Sequence, residues 1–168
     1  MGFIDVIKAR AKANKKVIVL PETEDRRTYE AAAQILKEGI ADIVLVGSEE
    51  AVKKGSEGLD ISGAKIVDPA TSERTQAYID KLVELRSKKG MTPEQAKEIL
   101  LNQYLYYGVM MVKMGDADGM VSGACHSTAD TLRPCLQILK TKPGTKLVSA
   151  FFLMVVPNCE YGADGTFI

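Results

Sequence analysis

Short, uninterrupted apolar runs separated by helix-like segments constrain the fold of this chain most strongly. The first run is Val17–Leu20, and two further strand candidates, 42–47 and Lys65–Val67, are mostly apolar after a charged first residue. Continuous apolar strands are typical of parallel sheets covered by helices on both faces, because neither side of such a strand meets water. Strands that alternate with helices at this spacing therefore predict an α/β fold, an α/β/α sandwich with a mainly parallel sheet.

Helix-start signals divide the rest of the chain. Thr23 is predicted to cap a helix with acidic residues in its first turn, and Gly39 is placed to end it. Thr92 and Gln95 stand in capping-box order around a proline, which predicts one helix from residue 92 to about 114. Other helices are expected at residues 48–54, 72–89 and 128–140, and further strands at 120–122 and 147–156.

A stretch of six residues without apolar content, 141–146, resembles a linker. It predicts an N-terminal α/β domain at 1–144 and the start of a second domain at 145–168, where strand 147–156 and residues 161–168 form a hairpin. The last residues run into an apolar segment, so we expect the natural chain to continue past Ile168.

Charge and cysteine content exclude several classes of function. Lys plus Arg and Asp plus Glu both number 22, so the chain has no net attraction for nucleic acid or an anionic membrane. Three cysteines without Cys-x-x-Cys spacing, together with one histidine, argue against a disulfide framework and against a metal site, and suit the cytoplasm. No export signal and no transmembrane segment is predicted.

Residues 122–134 form the best candidate ligand site. A small-residue turn from Gly123 leads into a helix that Ser127 caps, and such a turn offers backbone N–H groups to an anion. The hydroxyls of Ser127 and Thr128 add donors, and Arg133 adds a guanidinium suited to phosphate. The alternative is an ordinary cap with Arg133 on a solvated face. The segment lacks the Walker lysine and the dinucleotide glycine pattern.

Other residues have two interpretations each. His126 is either a general base or, more in keeping with a loop position, the partner in a structural hydrogen bond. Cys159 lies in the expected hairpin turn and is a possible reactive thiol near a cleft. By default, Arg86 is the solvated end of a helix. Tyrosines and methionines between residues 104 and 114 are expected to line the core.

The order of five segments identifies a resemblance to the phosphate acetyl/butyryl transferase family, most closely to its acetyl-transferring members. The resemblance covers essentially all 168 residues, and residues 118–134 are its most specific part. The segments are LPETED at 20–25, ADIVLVG at 41–47, DGMVSGA at 118–124, HSTADTLRP at 126–134 and YGADGTF at 161–167.

The resemblance implies a two-domain α/β/α enzyme, similar in fold to isocitrate and isopropylmalate dehydrogenases and usually a homodimer. Its substrates are acetyl-CoA, phosphate and acetyl phosphate, and acetyl-CoA plus phosphate is converted reversibly to acetyl phosphate plus CoA. The CoA thiolate attacks acetyl phosphate directly in a ternary complex. Coenzyme A takes part as a substrate, and no metal or other cofactor is implied.

The same resemblance assigns residue roles. Arg133 and Arg86 match arginines linked to CoA binding, and Ser127 and Thr128 match a pair of hydroxyls that line the cleft. The catalytic serine, arginine and aspartate of the family lie in its C-terminal half, so none is expected in this chain and the chain is expected to be inactive alone. Two alternatives remain: phosphate butyryltransferase, and a non-catalytic acetyltransferase-like domain that regulates or binds CoA.

Overall fold

The central sheet consists of four parallel strands. The computed structural model describes residues 2–163 and 165–168, in which β1 is Val17–Leu20, β2 is Asp42–Val46, β3 is Lys65–Val67 and β4 is Gly119–Met120. Their order across the sheet is β3–β2–β1–β4. The chain thus moves outward from β1 to β3 and then returns to place β4 on the other side of β1. The predicted α/β fold with a parallel sheet is confirmed.

Seven α-helices connect the strands within the described residues. They are α1 Phe3–Ala13, α2 Arg26–Glu38, α3 Glu49–Gly55, α4 Thr75–Arg86, α5 Pro93–Asn102, α6 Tyr104–Met114 and α7 Thr128–Pro134. A short 3-10 turn, Ser87–Lys89, follows α4, and a π-helical turn, Cys135–Leu139, follows α7. None of the helices in the described residues has the length and apolar character needed to cross a membrane.

Side chains of the strands alternate between two cores. Val19, Val44 and Val46 pack with helices α4 to α6 on one face of the sheet. Ile43 and Leu45 pack with α2 on the opposite face. Burial of each such side chain contributes about 1.5–3 kcal/mol, which explains why these strands are continuously apolar.

The helix boundaries differ from the prediction at two starts. Asp25, and not Thr23, caps α2: its carboxylate accepts a hydrogen bond from the N–H of Arg27. Thr23 instead donates to the carbonyl of Val46 at 2.6 Å, which ties the connection after β1 to the end of β2. Helix α4 begins at Thr75, three residues later than expected. Gly39 ends α2 in the left-handed conformation, as predicted.

The single helix predicted for residues 92 to 114 is two helices. The Thr92–Gln95 capping box is present, as the sequence indicates. Helix α5 nevertheless ends at Asn102, whose side chain donates to the carbonyl of Glu98 and so competes with the helical pattern. Gln103 is extended, and α6 begins at Tyr104 with most of its residues buried. Tertiary burial decides this break, and no Gly or Pro marks it.

The last quarter of the chain has less regular structure than predicted. Strand β4 ends at Met120, and the expected long strand 147–156 is reduced to β5, Met154–Val155. It pairs antiparallel with β6, Thr166–Phe167, so the predicted hairpin is present. Leu147, Phe151 and Phe152 are largely exposed. The division into domains at residue 144 stays a prediction.

Candidate functional site

The candidate site lies where the strand order reverses. Because β4 pairs with β1 on the side opposite β2, the loops that follow β1 and β4 leave the sheet side by side at its carboxyl edge. Ligands of open α/β sheets bind at such a point. One loop runs through Glu22 to the start of α2. The other, which we call the β4–α7 turn, consists of Gly123, Ala124, Cys125 and His126 and leads into α7.

Glu22 fills the concave side of the β4–α7 turn. Its Oε2 accepts hydrogen bonds from the backbone N–H groups of Gly123 at 2.7 Å and Ala124 at 2.8 Å. Its Oε1 accepts from the N–H groups of Cys125 at 3.1 Å and His126 at 3.0 Å. The residue is only 2% exposed. The expectation that this turn offers its N–H groups to a bound anion is therefore wrong, because a carboxylate of the chain itself already holds them.

The hydrogen bonds keep Glu22 ionised. Burial by itself would raise the pKa of this carboxyl, but the N–H groups of Ala124, Cys125 and Gly123 and the side chain of His126 outweigh burial. The pKa consequently lies well below its ordinary value. A buried carboxylate with this many donors is satisfied in the same way as an anion in a backbone binding site.

His126 makes the structural hydrogen bond that the sequence favoured. Its Nδ1 lies 3.0 Å from Oε1 of Glu22, and its Nε2 lies 3.6 Å from the exposed carboxylate of Glu24. An ionised carboxylate can only accept, so Nδ1 carries the proton in this contact.

Glu22, Cys125 and His126 also bring three potential metal ligands within 4.8 Å of one another. The arrangement does not suit a cation, because both oxygens of Glu22 already accept hydrogen bonds from the β4–α7 turn. A metal ion would also need the thiolate of Cys125. Desolvation, followed by the negative charges of Glu24 and Glu22, raises the pKa of this thiol to about 12. The group is a structural hydrogen-bond cluster.

Cys125 is therefore expected to be unreactive although it is exposed. At pH 8, an aromatic disulfide reagent should modify it roughly 100-fold more slowly than a free cysteine, because so little thiolate is present. Peptide mass spectrometry after timed labelling measures the rate at each cysteine. Labelling in denaturant provides the control, and equal rates for Cys125 in the folded and unfolded chain would contradict the assignment.

A cleft of about 370 Å³ opens beside the β4–α7 turn. Tyr104 and Tyr106, at the start of α6, form one wall, and Asp130 and Arg133 of α7 form the other. Residues of the two loops complete it, among them Glu24 and His126. Tyr104 and Tyr106 pack against the core, as expected, but are only half-buried and also line the cleft, whereas Tyr107, Met110 and Met111 are buried core residues as predicted.

One of the two predicted arginines lines this cleft. Arg133 lines it, with its Nη1 3.7 Å from Asp130. Burial raises the pKa of Tyr106, and the positive charges of Arg133 and Arg86 partly offset that effect. In the part of the chain that the structure describes, the Nε atom of Arg86 is buried without a hydrogen-bond partner. Arg86 is thus more enclosed than the solvated helix end that its sequence context suggests.

The two predicted hydroxyls occupy the start of α7. Ser127 caps the helix: its Oγ accepts from the N–H of Asp130 and donates to the Asp130 carboxylate at 2.6 Å. The hydroxyl proton of Ser127 is therefore already used in a hydrogen bond within the chain. Thr128 is the first residue of α7 and is exposed. Cys159 lies in the connection between β5 and β6, and its proposed place near a cleft stays a prediction.

Sequence reasoning missed Glu22, Tyr104 and Tyr106. Glu22 stands just before the expected cap Thr23, and the sequence pattern gave it no role. A signal was present: Glu22 closely follows a strand whose last two residues are buried, and a polar residue there reaches the carboxyl edge of the sheet. The sequence did not show that β4 is the strand that lies beside β1.

Comparisons with known proteins agree with one another. The profile of the phosphate acetyl/butaryl transferase family matches residues 2–168. The chain is 56% identical over 168 residues to a phosphate acetyltransferase of Acetivibrio thermocellus and 54% identical to one of Thermoanaerobacterium thermosaccharolyticum. All of this chain aligns, but only 50% and 51% of those two proteins do. The chain therefore spans about half the length of these curated relatives.

Solved structures show the same relationship. EutD phosphotransacetylase from Staphylococcus aureus superposes with a TM-score of 0.84 at 42% identity, covering 92% of this chain and 47% of that one. A phosphotransacetylase from Streptococcus pyogenes gives a TM-score of 0.85 at 39% identity, covering 94% of this chain and 49% of that one.

Proposed function

The chain belongs to the phosphate acetyl/butaryl transferase family, and from this we propose that it forms the coenzyme A-binding half of a phosphate acetyltransferase. The complete enzyme converts acetyl-CoA and phosphate to acetyl phosphate and CoA, reversibly. The names of the two relatives support transfer of an acetyl group over a butyryl group. CoA and acetyl phosphate are substrates, and no metal or nicotinamide takes part in making the bond.

The observation that carries this proposal is the placement of Arg133 at the cleft. Arg133 lines the cleft together with Tyr106, whose pKa also responds to the positive charge of Arg86. CoA carries a diphosphate and a 3′-phosphate, and a chain with no net charge must bind these groups with placed cations. Glu24 and Asp130 also line the cleft and oppose an anion, so Arg133 is the group expected to hold a phosphate there.

The chemical step in this proposal is direct transfer. The sulfur of the CoA thiolate attacks the carbonyl carbon of acetyl phosphate, a sulfur–carbon bond forms, and the carbon–oxygen bond to phosphate breaks as phosphate leaves. Hydrogen-bond donors near the developing oxyanion and close alignment of the two substrates accelerate this reaction. The family's catalytic serine, arginine and aspartate belong to the half that these 168 residues do not include. This chain therefore binds and positions CoA without turning it over.

In the family-length protein we expect a homodimer with neither nucleic acid nor membrane as a partner. Three free cysteines suit a reducing compartment, which supports a cytoplasmic enzyme.

Two measurements test the proposal. Isothermal titration calorimetry is expected to detect CoA binding to the chain, and an acetyl-CoA/phosphate exchange assay on the same chain is expected to detect no turnover. A fusion of this chain to the second half of the Acetivibrio thermocellus relative is expected to exchange. Absence of CoA binding would contradict the assignment, and exchange by the chain alone would contradict its inactivity.

A further inference from the structure

The β4–α7 turn is held by a residue far away in the sequence. Glu22 accepts hydrogen bonds from the four consecutive N–H groups of residues 123–126, which lie 101 to 104 positions later in the chain. Four N–H groups that converge in this way form a binding site for an anion. Because the Glu22 carboxylate occupies it, the phosphate groups of a ligand are excluded from the turn and are left to the side chains of the cleft.

A second contact fixes the same turn from its carbonyl side. A guanidinium N–H of Arg27 donates to the carbonyl of Ala124. Arg27 is itself held by Asp25 through hydrogen bonds of 2.6 to 3.2 Å. The first contact originates in the connection between β1 and α2, and the second in the first turn of α2. The turn therefore has one position relative to β1, which is anchored in the sheet.

The same carboxylate orients the ring of His126. Since Nδ1 donates to Glu22, Nε2 points the other way, toward Glu24 and the cleft. The His126 ring forms part of the cleft wall together with Asp130 and Arg133. Ser127 and the first turn of α7 follow His126 directly, so the position of α7 and of Arg133 depends on the turn.

We propose that Glu22 is a positioning residue of the CoA site: it holds the β4–α7 turn and the His126 ring so that Arg133 is preformed for phosphate binding. The inference rests on the proposed function, because the ligand is the one proposed above. Glu22 is not among the residues that line the cleft. It acts through the turn, as residues that orient a binding side chain do in other sites.

Glu22→Gln tests the proposal with little change in shape. The amide keeps one acceptor oxygen and replaces the other by a donor that faces two N–H groups. CoA affinity, measured by calorimetry, is expected to fall about tenfold. Glu30→Gln is the matched control, since it removes the same charge from an exposed position of α2 and is expected to leave the affinity unchanged.

A spectroscopic readout separates positioning from general stability. His126 is the only histidine of the chain, so two-bond ¹H–¹⁵N correlation reports one imidazole. The wild-type neutral ring is expected to be protonated at Nδ1, and Glu22→Gln is expected to change this signal. A wild-type ring protonated at Nε2 alone would overturn the proposal.

If Glu22→Gln does not fold, Arg27→Lys takes its place as the test. This substitution at an exposed position preserves the charge, removes the hydrogen bond to the carbonyl of Ala124, and is expected to weaken CoA binding about threefold. If the tested variant binds CoA as tightly as the wild type, the inference is wrong and the proposed function is unaffected. If the wild-type chain does not bind CoA, both the proposed function and this inference are wrong.

Discussion

Glu22→Ala is expected to lower the free energy of unfolding by about 3 kcal/mol. The substitution removes the acceptor of four backbone N–H groups and of the His126 ring at once. Hydrogen bonds to a charged group contribute about 1.5–3 kcal/mol each, but water can enter the turn and replace part of this. Urea denaturation followed by circular dichroism measures the difference.

Glu24→Ala is the control for Glu22→Ala. Glu24 lies two residues away, its side chain is 53% exposed, and it lies 3.6 Å from Nε2 of His126. Its replacement is expected to change the unfolding free energy by less than about 0.5 kcal/mol. If the two variants are equally stable, the hydrogen bonds of Glu22 do not stabilise the fold.

The contribution of Glu22 should also depend on pH. Hydrogen bonds lower its pKa in the folded chain below the ordinary value of 4.5, so its stabilisation is complete above that value. The stabilisation is lost as the pH falls through the lower, folded-state pKa. Wild-type stability should therefore decline between about pH 5 and pH 2, and Glu22→Ala should decline less over the same range.

Arg133→Ala is expected to weaken CoA binding about tenfold, because it removes one charged contact to a phosphate group. Arg133 is more than half exposed and lies 3.7 Å from Asp130, so solvent and this acidic neighbour limit the effect. Calorimetry at low salt measures it, and raising the ionic strength should reduce the difference.

Arg10→Ala is the matched control for Arg133→Ala, since Arg10 is exposed on α1 and carries the same charge. Its replacement is expected to leave the CoA affinity unchanged. Equal affinities for Arg133→Ala and wild type would remove Arg133 from the site. A comparable loss in Arg10→Ala would show that the overall charge of the chain matters more than placement.

The candidate site was predictable where its features are local in sequence. Ser127 caps α7, and the capping partner Asp130 stands three residues later, which the sequence displays directly. The position of Arg133 on the cleft follows from its place on the same short helix. The role of Glu22 was not predictable in this way, because its partners are more than a hundred residues distant.

The sequence by itself determined the layers of this protein. Continuous apolar runs that alternate with amphipathic segments leave few folds other than a parallel sheet covered on both faces, since hydrophobic burial depends on local pattern. Only the tertiary structure decided that β4 returns beside β1, and that placement brings Glu22 to the β4–α7 turn. The reason is physical: strand order is set by which elements pack together, and hydrogen bonds between distant loops form only after that packing exists.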